Sequence, residues 1–388
     1  MQTAPQFFVA IGCILLLGLA TDLLGRRTFL PRVTLLLIFG MLVGPEALNL
    51  IPLIVLENFE VIANVALMMI GFVLGVKLTK KTLSRSARQV ICISISAALL
   101  TCLMVMLGLF LLGVPLALAI LLGCIASATA PAATVETVAE SNSKSPFANK
   151  LLSIVALDDA WALILFSIGV AIVSTMNGSQ LAFTSLIQAT HEIGGAILLG
   201  MVIGLPAAYL TGRIKNGQPM LTEALGLVFL CGGLALWLEV SFLIAAITMG
   251  VVITNLARHH DYPFHAIEGI EWPFMVVFFI LAGASFKFDY LQYIGLTGVA
   301  YILLRVLGKV VGAGVGGRCG RADKLTRQWM GLALLPQAGA AMGMALVAVN
   351  QFPEYRQLLL TVVISTTVVF ELTGPILARM ALSRAARP

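Results

Sequence analysis

Long apolar runs recur along the whole 388-residue chain, separated by short charged or Gly/Pro-rich breaks. About twenty apolar residues make a helix that crosses a ~30 Å hydrocarbon layer, where each backbone N–H and C=O has to be satisfied within the segment. Thirteen candidate spans are legible, near residues 6–24, 31–48, 59–76, 88–113, 115–140, 146–176, 186–212, 219–238, 240–257, 266–286, 290–317, 325–350 and 355–382. Apolar residues make up 60% and charged residues 11%, with a mean hydropathy of +1.02, a balance foreign to soluble globular domains. The expected fold is all-α and polytopic, with about 13 transmembrane helices, embedded in a lipid bilayer and with no soluble domain.

Charge distribution gives the orientation. The first cation is Arg26, so the run Gln6–Leu24 lacks the positive leader of a signal peptide and reads as a span with its N-terminus outside. On that basis the cytoplasmic loops and C-terminus hold twenty of the 24 Lys and Arg residues, and the external loops hold Lys287 and Arg356. So large a bias fits the positive-inside rule, and an error of one span would have scrambled it. It also accounts for the net charge of +6 without nucleic acid. The six cysteines show no CxxC spacing and read as core-filling residues, so neither a disulfide nor a resident metal is expected. The chain is expected in the cell membrane (a bacterial inner membrane), with the C-terminus cytoplasmic.

Two spans are broken by proline in their middle. The fifth reads LLGCIASATAPAATVETVAE, interrupted at Thr129-Ala130-Pro131, and the twelfth reads MGLALLPQAGAAMGMALVAV, interrupted at Pro336-Gln337-Ala338-Gly339. Seven spans apart, they cross the membrane in opposite directions. Broken helices at matching positions in two halves mark inverted-repeat secondary transporters, whose substrates bind where the breaks cross. Each half-helix end carries about half a charge, positive at N-termini and negative at C-termini, so crossed breaks need counter-charges of both signs.

Both signs are present. Asp158 and Asp159 lie mid-span in SPFANKLLSIVALDDAWALILFSIGVAIVSTM, and Arg305 and Lys309, four apart, share a face of span eleven. An acid at that depth costs several kcal/mol and usually marks an ion or proton path. Consecutive helix positions point about 100° apart, so one aspartate can face a cavity while the other faces a neighbouring helix. This suggests a division of labour in which one carboxylate takes proton or cation and a basic partner holds the other. Burial beside a like charge makes a proton competitive for such a carboxylate, which is the condition for exchange. Glu371 in span thirteen is a third buried acid. Arg305, Lys309, Glu371 and Asp158 all lie roughly 10–16 Å from the cytoplasmic ends of their helices, so depth leaves their pairing open. Gly308, Gly312 and Gly316 form a double GxxxG that admits a close neighbouring helix, and Gly40xxxGly44 and Gly200xxxGly204 read as packing contacts. Glu136 and Glu140 read as a solvated helix end, and His259, His260 and His265 as ordinary loop histidines.

With these motifs the chain resembles the monovalent cation:proton antiporters, specifically the bacterial double-aspartate sodium/proton exchangers. The segments LLLIFGMLVGPEAL, NVALMMIGFVLGVKL, SATAPAAT, VALDDAWAL, IEWPFMVVFFILAGASFKFDYL, RVLGKVVGAGVGG, GLALLPQAGAAMGMAL and FELTGP carry the resemblance over essentially the whole chain. It implies exchange of sodium or lithium, with potassium a further candidate, for protons by alternating access, serving pH homeostasis. It also implies a homodimer, with core helices mainly in 59–176 and 290–382 and dimerisation helices mainly in 6–48 and 186–257. Asp159 would be the shared proton/cation carboxylate, with Asp158 paired to Lys309, Arg305 left to pair with Glu371, and Thr129 near the cation. No cofactor and no enzymatic activity are implied. A sodium-coupled organic-anion symporter of the bile-acid transporter fold shares crossed helices, but has about ten spans and no Asp-Asp pair. An intramembrane aspartyl protease needs its two acids on separate helices, and the chain contains no GxGD.

Overall fold

The computed structural model describes residues 3–25, 28, 30–141, 145–176, 182–211, 220–257, 261–285 and 295–385. Lys144, His259, His260 and Lys287 lie outside them. Regular structure among the described residues is helical. The first stretch holds α1 (Thr3–Gly25), α2 (Arg32–Val43), α3 (Leu53–Glu57), α4 (Phe59–Lys77), α5 (Lys80–Leu111), α6 (Leu116–Ala126), α7 (Pro131–Glu140) and α8 (Pro146–Met176). It is followed by α9 (Ala182–Thr211), α10 (Met220–Trp237), α11 (Phe242–Leu256), α12 (Asp261–Ala284), α13 (Gly295–Cys319), α14 (Lys324–Ala333), α15 (Gly339–Gln351) and α16 (Arg356–Ala385). Among the described residues, eight helical segments are long and apolar enough to cross a membrane, and five shorter apolar helices accompany them.

Some helices outrun their apolar segments. The fifth begins at Lys80, eight residues before the apolar run, because the hydrogen-bonded ladder continues past the point where hydropathy falls. The last helix passes uninterrupted through Pro375.

The chain divides into two compact units, residues 1–83 with 191–286 and residues 84–190 with 287–388. In the first, α4 packs on α11 and α2 on α12. Both crossings are built from reciprocal glycines. A β-carbon at Gly40 would overlap the Ile280 carbonyl oxygen and one at Gly283 that of Leu37, while Gly75 and Gly250 meet Ile247 and Phe72 in the same way. Lipid offers no hydrophobic drive for helix association, so close van der Waals contact at small residues is what holds such pairs. Gly44 and Gly200 are packing positions too, against Ala284 and Ala245.

In the second unit the glycine face of α13 lies on α5. A β-carbon at Gly308 would come within 2.6 Å of Thr101 Cα, and one at Gly312 within 2.7 Å of Ala97 Cα. Gly316 and Gly320 continue the contact at Cys92 and Gln89. The apolar core of this unit includes Val105, Leu121, Ile125, Phe166, Tyr301, Leu335 and Phe370. Within it α13 turns Arg305 and Lys309 inward, both at 0% exposure, where two cations have no access to water.

One polar link ties the ends of this unit's helices together. Asp323 caps α14 by accepting from the Thr326 amide at 2.9 Å, and its Oδ1 accepts from Lys150 Nζ on α8 at 2.8 Å. Partial burial works against the carboxylate, but the Lys150 ammonium and the Thr326 hydroxyl and amide outweigh it and hold the group well below the usual carboxylate range. A depressed folded value means stabilisation present above the unfolded pKa of ~3.9 and lost as pH falls through the folded one. Asp323→Asn keeps an N-cap and loses the ion pair. Because the side chain is 54% exposed, the expected loss is within about 1 kcal/mol at pH 7. The difference from wild type in thermal unfolding should shrink in acid, and a constant difference down to about pH 2 would exclude the ion pair as its source.

A crossing of broken helices as the candidate functional site

Residues 127–130 separate α6 from α7, where Pro131 occupies the first helical turn and needs no intrahelical partner for its missing N–H. Residues 334–338 separate α14 from α15. The two breaks meet: the Ala130 amide donates to the Pro336 carbonyl at 2.8 Å. The Gln337 amide nitrogen donates to the Tyr301 hydroxyl at 3.2 Å and lies 3.4 Å from the Ile125 carbonyl. Gly374 on α16 makes room for this crossing, since a β-carbon there would sit 2.6 Å from Pro336 Cα.

Helices α6 and α14 both end here, and their terminal carbonyls have no helical partner. Arg305 supplies one for each. Its Nε donates to Ala126 O at 3.0 Å, Nη1 to Leu335 O at 2.7 Å and Nη2 to Ala128 O at 2.8 Å. The guanidinium lies 4.2 Å from the Phe370 ring centroid, so an aromatic face covers its plane. A planar fork of donors suits three fixed acceptors in a way an ammonium would not.

One turn along α13, Lys309 Nζ donates to Ser127 O at 2.7 Å, Thr129 Oγ1 at 2.8 Å and Asp158 Oδ2 at 2.8 Å. The Thr129 hydroxyl in turn donates to Asp158 Oδ2. All three ammonium protons are used, and Asp158 is fully buried in an ion pair with the equally buried lysine. Asp159 differs. It is 6% exposed, its Oδ1 is buried with no hydrogen-bond partner, and it forms no ion pair among the described residues. Neighbouring carboxylates on one helix therefore sit in unlike environments, one neutralised and fixed, the other ionisable and uncommitted.

The breaks at Ala130, Pro131, Pro336, Gln337 and Gly339 and the charged residues Asp158, Arg305 and Lys309 converge on one crossing. Thr129 joins them as a hydrogen-bonded link. Glu371 does not pair with Arg305: its Oε2 is buried without a partner, while the arginine is committed to main-chain carbonyls. Glu136 and Glu140 are not a solvated helix end. Glu136 is 5% exposed, and Glu140 Oε1 lies 3.4 Å from Arg379 Nη1, because α16 packs along α7 and covers it. Residue reading missed Tyr301 and Phe370. Tyr301 had a signal, standing four residues before Arg305 on the same helix face, whereas Phe370 was one apolar residue among many.

The family described as sodium/hydrogen exchanger, transmembrane, matches residues 11–382. The ammonium/H(+) antiporter subunit AmhT of Alkalihalophilus pseudofirmus is 23% identical over 357 residues, covering 90% of this chain and 88% of that protein. The Na(+)/H(+)-K(+) antiporter GerN of Bacillus cereus is 23% identical over 373 residues, 94% of each. Among solved structures, the sodium proton antiporter MjNhaP1 from Methanocaldococcus jannaschii matches with a TM-score of 0.79 at 18% identity over 100% of both chains, which shows a shared fold. With a family match spanning nearly its full length and a pair of crossed broken helices, the chain belongs to the sodium/hydrogen exchanger family of membrane cation/proton antiporters.

Proposed function

We propose that the chain exchanges a monovalent cation for protons by alternating access, with Asp159 as the carboxylate that cation and proton occupy in turn. The observation that carries this reading is the asymmetry of the aspartate pair: Asp158 is held by Lys309, and Asp159 is buried without a partner. A buried carboxylate lacking a fixed counter-charge gains from either a cation or a proton, and one group cannot hold both. Thr129, hydrogen-bonded to Asp158 and beside the break, is a ligand for the entering cation. Arg305 and Lys309 compensate the C-terminal ends of the half-helices. Sodium-coupled organic-anion uptake gains no support, since each relative named above is an exchanger.

The unit of residues 84–190 and 287–388 holds both breaks together with the buried residues Asp158, Asp159, Arg305, Lys309, Glu371 and Glu136, and we assign it the ion-carrying core. Residues 1–83 and 191–286 are assigned to homodimerisation. The helix Phe59–Lys77, which the sequence division placed with the core, goes with this second group because it packs on α11 and α12.

Sodium, lithium, potassium and ammonium added in turn to acid-loaded proteoliposomes test the function. At least one should drive proton efflux in exchange for its own entry, and silence toward all four would remove cation/proton exchange. Orientation is tested separately in an otherwise cysteine-free chain. Cys319 is exposed at the helix end assigned to the cytoplasm, while the nearby Ala322, 6% exposed, would not report. A cysteine replacing Leu112, 55% exposed at the opposite helix ends, should react with an impermeant thiol reagent in intact cells, and Cys319 should not. The reverse pattern would invert the topology.

A further inference from the structure

A cavity of about 290 Å³ opens between the last turns of α13 and the start of α14, lined by Gly314, Arg318, Lys324, Arg327 and Gln328. Three cations and an amide face one space with no acid among them. The acid of the same loop, Asp323, is taken by Lys150 and Thr326. The terminal carbonyl of α13 at Cys319 is satisfied by Arg88 at 3.1 Å, so Arg318 is not needed there. Among the described residues Arg318, Lys324 and Arg327 form no ion pair, and Arg327 Nε is buried without an acceptor. Gly317 lets the arginine reach this position, since a β-carbon there would come within 2.7 Å of Arg327 Cγ.

Like charges around a common space repel, and a buried N–H without an acceptor is costly, so the arrangement favours an anion between them. The donor set matches a tetrahedral oxyanion: two guanidinium forks, an ammonium and a carboxamide, with the positive N-terminal end of α14 adding to the field. Next along α14, Trp329 lies 6.0 Å from the Arg384 guanidinium. Trp paired with Arg is the composition found at the level of lipid headgroups.

We propose that this cavity binds a phosphate-bearing anion, the headgroup of an anionic phospholipid, and so ties α13 to the first half of the second broken span. The proposal is independent of the exchange reaction. Its ligand would sit nine residues from Lys309 along α13, roughly 13 Å away.

Delipidated protein in detergent would be titrated at constant ionic strength with short-chain phosphatidylglycerol, short-chain phosphatidylcholine or inorganic phosphate, and its melting temperature followed. The expected result is a saturable rise with phosphatidylglycerol and none with phosphatidylcholine, whether or not phosphate also acts. The combined variant Arg318→Gln, Lys324→Gln, Arg327→Gln should shift the phosphatidylglycerol midpoint by roughly tenfold or more, as expected for lost hydrogen bonds to a charged group. Should that variant not fold, Lys324→Gln alone, an exposed substitution, should shift it in the same direction. A rise with phosphate alone would overturn the lipid as occupant. Absence of a saturable effect in the wild-type protein, an equal effect of phosphatidylcholine, or an unshifted midpoint in folded variants would overturn the site.

Discussion

Asp159→Asn should reduce cation-driven proton flux to background while the protein remains folded and as stable as wild type or more so. Asparagine keeps the size and shape of the side chain but can neither take up nor release the proton that exchange requires. The stability half follows from the asymmetry of the pair. The Asp159 carboxylate is buried with no fixed counter-charge, and replacing it with a neutral amide relieves a desolvation cost. Asp158→Asn should do the opposite, since it strands Lys309 at 0% exposure beside an amide. Proton flux in proteoliposomes and thermal unfolding in detergent, measured on the two variants side by side, check both halves. Flux near the wild-type level in a folded Asp159→Asn protein would end the role assigned to this residue.

Much of the crossing is legible in the sequence. Proline in the middle of an apolar run has few outcomes in a membrane, because freed backbone groups persist only where something satisfies them. That logic placed the breaks at Pro131 and Pro336 and asked for counter-charges near them, which Asp158, Arg305 and Lys309 turned out to supply. What it could not give was the partner of Arg305. The three acceptors are main-chain carbonyls of Ala126, Ala128 and Leu335, and every residue has a carbonyl, so no side-chain type announces the contact. An expectation built on charges alone sends an arginine to a glutamate. Here the buried ends of two helices, whose carbonyls lack helical partners, win, since they offer fixed negative poles at the right spacing and Glu371 does not. The Glu140–Arg379 contact was hidden for a similar reason: the two residues lie far apart in the chain, and only the packing of α16 along α7 joins them.

Lys309→Ala should destabilise the protein by about 3–5 kcal/mol, because Asp158 is left as an uncompensated buried charge. Two further acceptors, Ser127 O and Thr129 Oγ1, lose their donor in the same step, and both belong to the first break. The neutral double variant Lys309→Gln with Asp158→Asn should recover much of the loss, since two amides can hydrogen-bond at that distance without charge. Arg305→Gln should also destabilise, by orphaning carbonyls at two helix ends, but neutralising Glu371 should not rescue it. The corresponding double-mutant cycles on thermal stability separate these cases: strong coupling for Lys309 with Asp158, and coupling near zero for Lys309 with Glu371 and for Arg305 with Glu371. Coupling of Lys309 to Glu371 larger than to Asp158 would mean that the lysine changes partner in the state being measured. The Asp158–Lys309 pair would then be a feature of a single conformation, and the freedom of Asp159 to take cation or proton would have to be sought in its own surroundings, independent of what Lys309 holds.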